Sequence, residues 1–579
     1  MKAPPPQFFV STRSKLMSSP ATHMKATRFS AAGLSTNVKS LVWVVIVSVA
    51  FIAPALIYGV PANKDLLNHF RFALPFYDSL SSGHLYPGWL AESNGGYGDP
   101  SFRFYPPGLY YLLALARTLT GNWYWGTLLT LLFLSTLSGL GMYFWTRAIL
   151  SPATAMWAAV LYALAPYHVN QLYQAFLLAE FAGAAVLPFS FAFVERVCRR
   201  GRYRDVAGLA ATYALLVFTH LPLAVVGSLA LGVYAFIRIE RRRWRGSLGL
   251  LLLGATLGLT ASSVYWVRMV AELKWIGVNN ANPDSSVDYT QNFLFSTLSA
   301  DNLNVWWMNL LAITTFLLFF PALALFVGRA RREVRFSRLL PAMVVTGLTL
   351  FMALPFSRPI WRVLPAMQQI QFPWRWLAVF SMAGSLLTAA TLPLWLRNSW
   401  QWRRTLRLIV LGSMLASVTF TLAHTVREAE YRNRQQFESD LASVRGTASV
   451  NYWIPVWARS TPRGMSEVEA KDRQVLVNEW TAEHRSFDVT AGEAGDARVR
   501  TFYYPHWVAT SAGRALPTRS DTDGALLISL PSGATSVRLD FREPGRSQTT
   551  TILSALSSLF IGFLAAPSLN RRRKIRTGY

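Results

Sequence analysis

The sequence is poor in cysteine and in acid. Cys198 is the one cysteine in 579 residues, which excludes an intrachain disulfide and leaves any extracytoplasmic domain to be held by its core alone. Aspartate and glutamate total 29 against 56 lysines and arginines, a net charge of +27. Such a surplus suits nucleic acid, but the arginines fall in short clusters between apolar runs, which is how cytoplasmic loops orient a polytopic protein. No nucleic-acid partner is expected. GxxxxGK[ST], a GxGxxG behind a strand, HExxH and a CxxC pair are all missing, so nucleotide-driven transport and zinc hydrolysis have no support in the sequence.

What is present is apolar length. With 52% apolar and only 15% charged residues, and several apolar runs longer than 18 residues, the chain reads as a mainly α, polytopic membrane protein. About twelve spans are expected: 41–60, 124–146, 152–167, 176–197, 204–219, 222–238, 248–268, 305–328, 338–355, 373–397, 405–424 and 550–567. The doubtful segment is 104–119, short and opened by Pro106 and Pro107. If it stays on one side, the clusters around Arg147, 196–204, 238–245, 329–338, 397–407 and 571–574 all join the basic N-terminus on the cytoplasmic face. The segment is therefore expected as an interfacial or re-entrant helix on the outer face.

That parity divides the chain into a disordered basic cytoplasmic tail (1–40), a transmembrane domain (41–424) with one outer loop at 61–123, an extracytoplasmic block (425–548), a last span (549–570) and a basic tail (571–579). Within 425–548, a helical stretch near 425–445 precedes short alternating runs such as RQVLVNEW, ARVRTFYY, GALLISL and TSVRLDF between turn residues. That pattern predicts a small antiparallel β domain resembling a sandwich.

The outer loop concentrates ionisable groups just past the first span: Asp65, His69, Asp78, His84, Glu92 and Asp99. Asp65 suits a general base toward an acceptor hydroxyl, a ligand for a divalent metal, or simply a helix cap. His69, four residues on, shares its helical face as an orienting partner or second ligand. Asp99 closes a Gly/Asn turn at 94–100 whose amides suit either an anion or an ordinary loop, and it is the other metal-ligand candidate. Glu180 in an apolar span points to a polar cavity or an interhelical hydrogen bond. His168 and His220 lie at outer helix ends. Arg375, between two tryptophans, suits either a phosphate grip or snorkelling to head groups. Arg268 and Glu272 are spaced for a helical ion pair in the next outer loop, where Asp284, Asp288 and Tyr289 follow, a set that suits a sugar or any exposed loop.

Several of these residues sit in recurring short motifs: Asp65, His69, GHLYPGW at 83–89, GYGDP at 96–100, FYPP at 104–107 with Tyr105, APYH at 165–168, AE at 179–180, THLP at 219–222, VYW at 264–266 and FPWRW at 372–376. In this order, across 41–424, the chain resembles the bacterial membrane proteins labelled 6-pyruvoyl-tetrahydropterin synthase-related, within the GT-C-like membrane glycosyltransferases. NYWIPVW at 451–457 and FYYPHW at 502–507 resemble the accessory β domain of related proteins. Pterin-synthase chemistry is not implied, because that enzyme's zinc-binding histidine cluster is absent. The resemblance implies a multi-pass protein of the cytoplasmic membrane that transfers a sugar from a polyprenyl-phosphate donor on the outer face. It also implies a catalytic acidic residue in the first outer loop, the position that Asp65 matches; His69 is expected beside it, and Asp99, Tyr105, His168, Glu180, His220, Glu272 and Arg375 are expected around the substrate. No clear DD, DE or DxD pair is present in residues 41–424, which leaves metal dependence open. A flippase for a lipid-linked saccharide and a non-catalytic scaffold of envelope assembly are the alternatives.

Overall fold

A computed structural model describes Met1 and residues 35–63, 65–277, 288–296, 303–326, 336–396, 404–447, 453–458 and 466–566. Most of the expected 1–40 tail, the 571–579 tail, Asp284 and most of the 329–338 cluster lie outside the described residues.

The helices run in the order α1 (Thr36–Tyr58), α2 (Leu66–Ser81), α3 (Gly108–Thr120), α4 (Trp123–Arg147), α5 (Pro152–Ala163), α6 (Pro166–Tyr173), α7 (Leu178–Arg200), α8 (Tyr203–Thr219), α9 (Leu221–Arg238), α10 (Trp244–Ala261), α11 (Ser263–Glu272), α12 (Leu303–Phe319), α13 (Phe336–Ala353), α14 (Trp376–Leu396), α15 (Arg404–Glu428), α16 (Arg434–Val444) and α17 (Gly545–Ala565). Among the described residues nine helices are long and apolar enough to cross a membrane, and a tenth span arises if the pair 241–261 and 263–275, bent by 68°, counts as one. The protein is a mainly α, polytopic membrane protein. The remaining two of the twelve expected stretches are helices of 12 and 17 residues. At about 1.5 Å per residue they extend roughly 18 and 26 Å, short of a hydrocarbon core of about 30 Å.

Contacts between helix ends fix which ends lie together. Arg147, closing α4, donates to Asn37 at the start of α1 (3.0 Å), and Arg199 near the end of α7 bonds the Ala148 carbonyl. At the opposite end, Asn63 donates to the carbonyls of Tyr173 and Glu428. The chain thus crosses along α1 and comes back along α4, with α3, only 13 residues long, staying at the far end. Gly108 lets the head of α3 touch the end of α8, since a Cβ there would lie 2.7 Å from the Phe218 carbonyl oxygen. α14 and α7 form the centre, 89% and 83% buried, whereas α15 and α17 are peripheral at 17% and 22%.

The strands are β1 (Val60–Pro61), β2 (Tyr431–Arg432), β3 (Val468–Ala470), β4 (Val475–Trp480), β5 (His484–Val489), β6 (Gly495–Phe502), β7 (Trp507–Ser511), β8 (Arg514–Leu516), β9 (Thr518–Ser520), β10 (Ala525–Leu530) and β11 (Thr535–Phe541). β1 and β2 pair antiparallel, stitching the start of the 61–123 loop to the chain leaving α15. The others form two sheets, β3-β6-β10-β9 and β4-β5-β11-β7-β8, which share one core with Phe487, Val499, Trp507, Ile528 and Leu539 buried. All four alternating runs of the sequence became strands, because a period of two buries one face of each. The loop contributes to this core: Trp89 and Tyr97 are inserted among the β residues. Gly98, at φ +82°, permits the insertion, since a Cβ would lie 2.3 Å from Trp89 Nε1. By contrast, Phe437, Leu441 and Val444 of α16 pack with the α2 and α4 residues rather than with the sandwich.

Candidate functional site

Asp65 is the N-cap of α2, but its side chain makes no capping hydrogen bond. The carboxylate is half-buried and its Oδ1 accepts from Asn68 Nδ2 at 3.2 Å. Among the described residues, Oδ2 has no hydrogen-bond partner. His69 lies one turn on and is buried. Its Nε2 accepts from the Leu178 amide (3.2 Å), so its Nδ1–H donates to Tyr110 Oη (3.1 Å). Burial lowers its pKa, against the opposing pull of Asp65, so the ring is neutral and holds the head of α2 against the head of α7.

Behind Asp65 stands Tyr105. It is half-buried, hydrogen-bonded to Tyr110, and within electrostatic reach of Asp65, Arg375 and Glu180 together. Burial first, and then Asp65, push its phenol up, so it stays a protonated donor. Glu180, in the first turn of α7, is fully engaged: Oε1 accepts from Tyr167 Oη (2.7 Å) and Gln171 Nε2 (2.9 Å), and Oε2 from Arg375 Nε (3.2 Å). Arg375, just before α14, also donates through Nη1 to the Ile370 carbonyl (2.5 Å). Among the described residues its Nη2 has no partner, and its side chain is 13% exposed. His220 caps α9, its Nδ1 accepting from Leu223 N (3.2 Å), and lies within electrostatic reach of Arg375 and His69.

Asp65, His69, Tyr105, Glu180, His220 and Arg375 therefore form one cluster where α2, α7, α9 and α14 begin. The other three residues read from the sequence stand elsewhere. His168 is stacked between Tyr162 and Phe181 (4.4 and 4.8 Å) and meets Ser138 Oγ at 3.2 Å, as a buried ring. Asp99 is fully buried and Oδ1 accepts from the Ser101 amide (2.5 Å) in its own turn. The amides of residues 94–98 are bonded to backbone carbonyls of residues 93, 94, 446 and 447, so this turn is a packed loop rather than an anion cradle.

Glu272 anchors a second cluster. Arg103, fully buried, bonds it through Nε (2.5 Å) and Nη2 (2.7 Å) and bonds Glu543 through Nη1 (2.5 Å) and Nη2 (3.1 Å). Tyr504, His506 and Arg546 complete the shell of Glu272 at 2.7, 3.0 and 3.2 Å. The expected Arg268–Glu272 helical pair gives way to this shell: Arg268 faces Glu543 at 4.0 Å and lies over the Tyr86 ring. Tyr110, Tyr167, Gln171, Arg103, Tyr504 and His506 were not read from the sequence as site residues, although Tyr167, Tyr504 and His506 sit inside the APYH and FYYPHW motifs.

A divalent metal at Asp65 and Asp99 does not fit these donors. Asp99 is committed to its turn, both His69 nitrogens are engaged, and among the described residues no three His, Cys, Asp or Glu side chains gather as a metal group. No step below is routed through a metal.

Among solved structures, the apo oligosaccharyltransferase of Archaeoglobus fulgidus is similar over 70% of this chain and 57% of its own, at 14% identity and a TM-score of 0.39. ArnT from Cupriavidus metallidurans bound to undecaprenyl phosphate is similar over 70% and 74%, at 14% identity and 0.38. Arabinosyltransferase EmbB from Mycobacterium smegmatis is similar over 86% and 62%, at 15% identity and 0.37. The chain spans little more than half the length of the oligosaccharyltransferase. No curated protein matches the sequence. Residues 102–425, more than half of the chain, match the family described as "6-pyruvoyl-tetrahydropterin synthase related domain; membrane protein", and the chain belongs to that family.

Proposed function

We propose that this protein is a membrane glycosyltransferase that moves a sugar from a polyprenyl-phosphate carrier to an acceptor hydroxyl on the outer face of the bacterial cytoplasmic membrane, with both termini inside. The observation that carries the proposal is that the Asp65 carboxylate and the Arg375 guanidinium, each keeping an atom with no partner among the described residues, both lie within electrostatic reach of Tyr105. Asp65 accepts the proton of the acceptor hydroxyl as its oxygen bonds the anomeric carbon. The bond from that carbon to the phosphate oxygen breaks, and the charge left on the carrier phosphate is taken by Arg375, whose Nη edge suits a phosphate. Glu180, itself saturated, holds Arg375 in place, and His69 fixes the helix that presents Asp65. The polyprenyl tail and membrane lipids are the apolar partners.

A flippase is less well supported, since it needs a polar path to the other leaflet. α7 runs from Glu180 to Glu195 through FAGAAVLPFSFAFV, a buried stretch in which Ser190 is the only polar side chain. The test is turnover of a panel of polyprenyl-phosphate sugars by purified protein and by Asp65→Asn. Transfer by the wild type and its loss in the variant support the assignment. Equal turnover by both removes Asp65 from the mechanism, and no turnover with any donor favours a carrier or scaffold.

A further inference from the structure

The stretch between α13 and α14, residues 354–375, has no carboxylate; its charged groups are Arg358, Arg362 and Arg375, and its amides are Gln368, Gln369 and Gln371. Gln371 sits at φ +65°, in the left-handed region that glycine enters freely and glutamine does not. Across it the Phe372 amide donates to the Ile370 carbonyl at 2.7 Å. The three residues therefore form a γ-turn with positive φ at its centre, the rare and strained form. Such strain persists only where the surrounding contacts over-determine it. Here those contacts are with Arg375. The Ile370 carbonyl that closes the turn also accepts from Arg375 Nη1 (2.5 Å), and the guanidinium carbon lies 4.8 Å from the centre of the Phe372 ring. Gln371 is bracketed by two residues that both touch the guanidinium assigned to the carrier phosphate.

The side chain of Gln371 is half-buried, and its amide has no hydrogen-bond partner among the described residues. Gln368 in the same loop differs, donating to the Trp361 carbonyl at 3.1 Å. Neither polar atom of the Gln371 amide is enclosed, so a ligand has access to it. Glycine would suit the turn better, and nothing within the folded chain uses the amide that glutamine brings. A ligand beside Arg375 accounts for it. A primary amide donates and accepts at once, which matches a hydroxyl; a phosphate only accepts, and Arg375 already meets it.

We propose that Gln371 binds the sugar being transferred, through the hydroxyl on the carbon next to the anomeric one. The assignment rests on the transfer reaction above. With the carrier phosphate on Arg375, that hydroxyl is the sugar group nearest the phosphate, and a side chain rooted between Ile370 and Phe372 is the one placed to meet it. Gln371 moves no proton; it selects donors whose sugar keeps a free hydroxyl at this carbon.

The test uses purified full-length protein and, from the panel above, the polyprenyl-phosphate sugar with the highest turnover, paired with its analogue deoxygenated at that carbon. Wild type is compared with Gln371→Met, which keeps the length and loses the amide, and with Gln371→Gly, which suits the turn. The expected result is a wild-type preference for the parent donor in kcat/KM that shrinks about 3–10-fold in both variants, the range of one hydrogen bond between neutral groups. An equal preference in wild type and Gln371→Met overturns the proposal, as does a best donor with no hydroxyl at this carbon; in both cases the transfer reading stands. Should Gln371→Met not fold, Gln371→Gly decides by the same ratio. Absence of turnover with every donor in the wild type removes the transfer reading and this assignment with it.

Discussion

Arg375 with Glu180 and Asp65, and Arg103 with Glu272 and Glu543, are two groupings of one guanidinium and two carboxylates at the same end of the helix bundle. In the second, both oxygens of each carboxylate and all three guanidinium nitrogens are engaged, and Arg103 has no exposed side-chain surface. In the first, Glu180 is saturated but Asp65 Oδ2 and Arg375 Nη2 have no partner among the described residues. A saturated buried network joins pieces of structure: Arg103 ties the 61–123 loop to α11, the sandwich and the foot of α17. A network that keeps a spare donor and a spare acceptor within electrostatic reach of one phenol is poised for a ligand. Composition alone cannot separate the two, because they hold the same residue types.

Four measurements test that contrast. The largest effect is expected for Asp65→Asn, with sugar transfer falling about 10²–10⁴-fold, the range of a general base, while the unfolding midpoint stays close to wild type. An equal loss of activity and stability would place Asp65 with the structural cluster. Arg103→Met is expected to do the reverse, costing about 3–5 kcal/mol because Glu272, fully buried, loses two charged hydrogen bonds and Glu543 loses both of its own to Arg103. Limited proteolysis should then release the β domain. Resistance equal to wild type would show that the network does not hold that interface.

Smaller effects should follow at Glu543. Its Gln variant keeps the shape but loses the charged hydrogen bonds from Arg103, for about 1–3 kcal/mol in the same proteolysis assay. Acid gives the mildest test. Burial pushes the Glu543 carboxyl up, but the hydrogen bonds and charge of Arg103 outweigh it and hold the pKa at about 2, against an ordinary 4.5. A depressed carboxyl contributes its stabilisation fully above pH 4.5 and loses it as pH falls toward 2. Stability in that window should fall less steeply in Glu543→Gln than in wild type, and parallel curves would contradict the assignment.

Much of the architecture was legible because its periods are local. Apolar runs of about 20 residues became the long helices, and the alternation in TSVRLDF and GALLISL became β11 and β10. Charge parity held back 104–119, and the structure has a 13-residue helix there. The candidate site was legible to the extent that its members sit at helix starts: Asp65, Glu180, His220 and Arg375 each open or precede a helix of the bundle. Glu272 shows where that reading ran out. Its helical neighbour Arg268 was the visible partner, but the one it takes, Arg103, is 169 residues away in the chain. Asp99 likewise carried the right chemistry and was drawn into a turn.

Local pattern was enough to establish that the chain crosses the membrane many times, that a β domain follows, and which residues carry charge at the helix ends, since hydropathy and period act over a few residues at a time. Which charges meet, and which keep a free edge, follows from the folded arrangement of the helices and sheets. Partners come from segments hundreds of residues apart, and saturation of a carboxylate depends on every group that folding brings within about 3 Å of it.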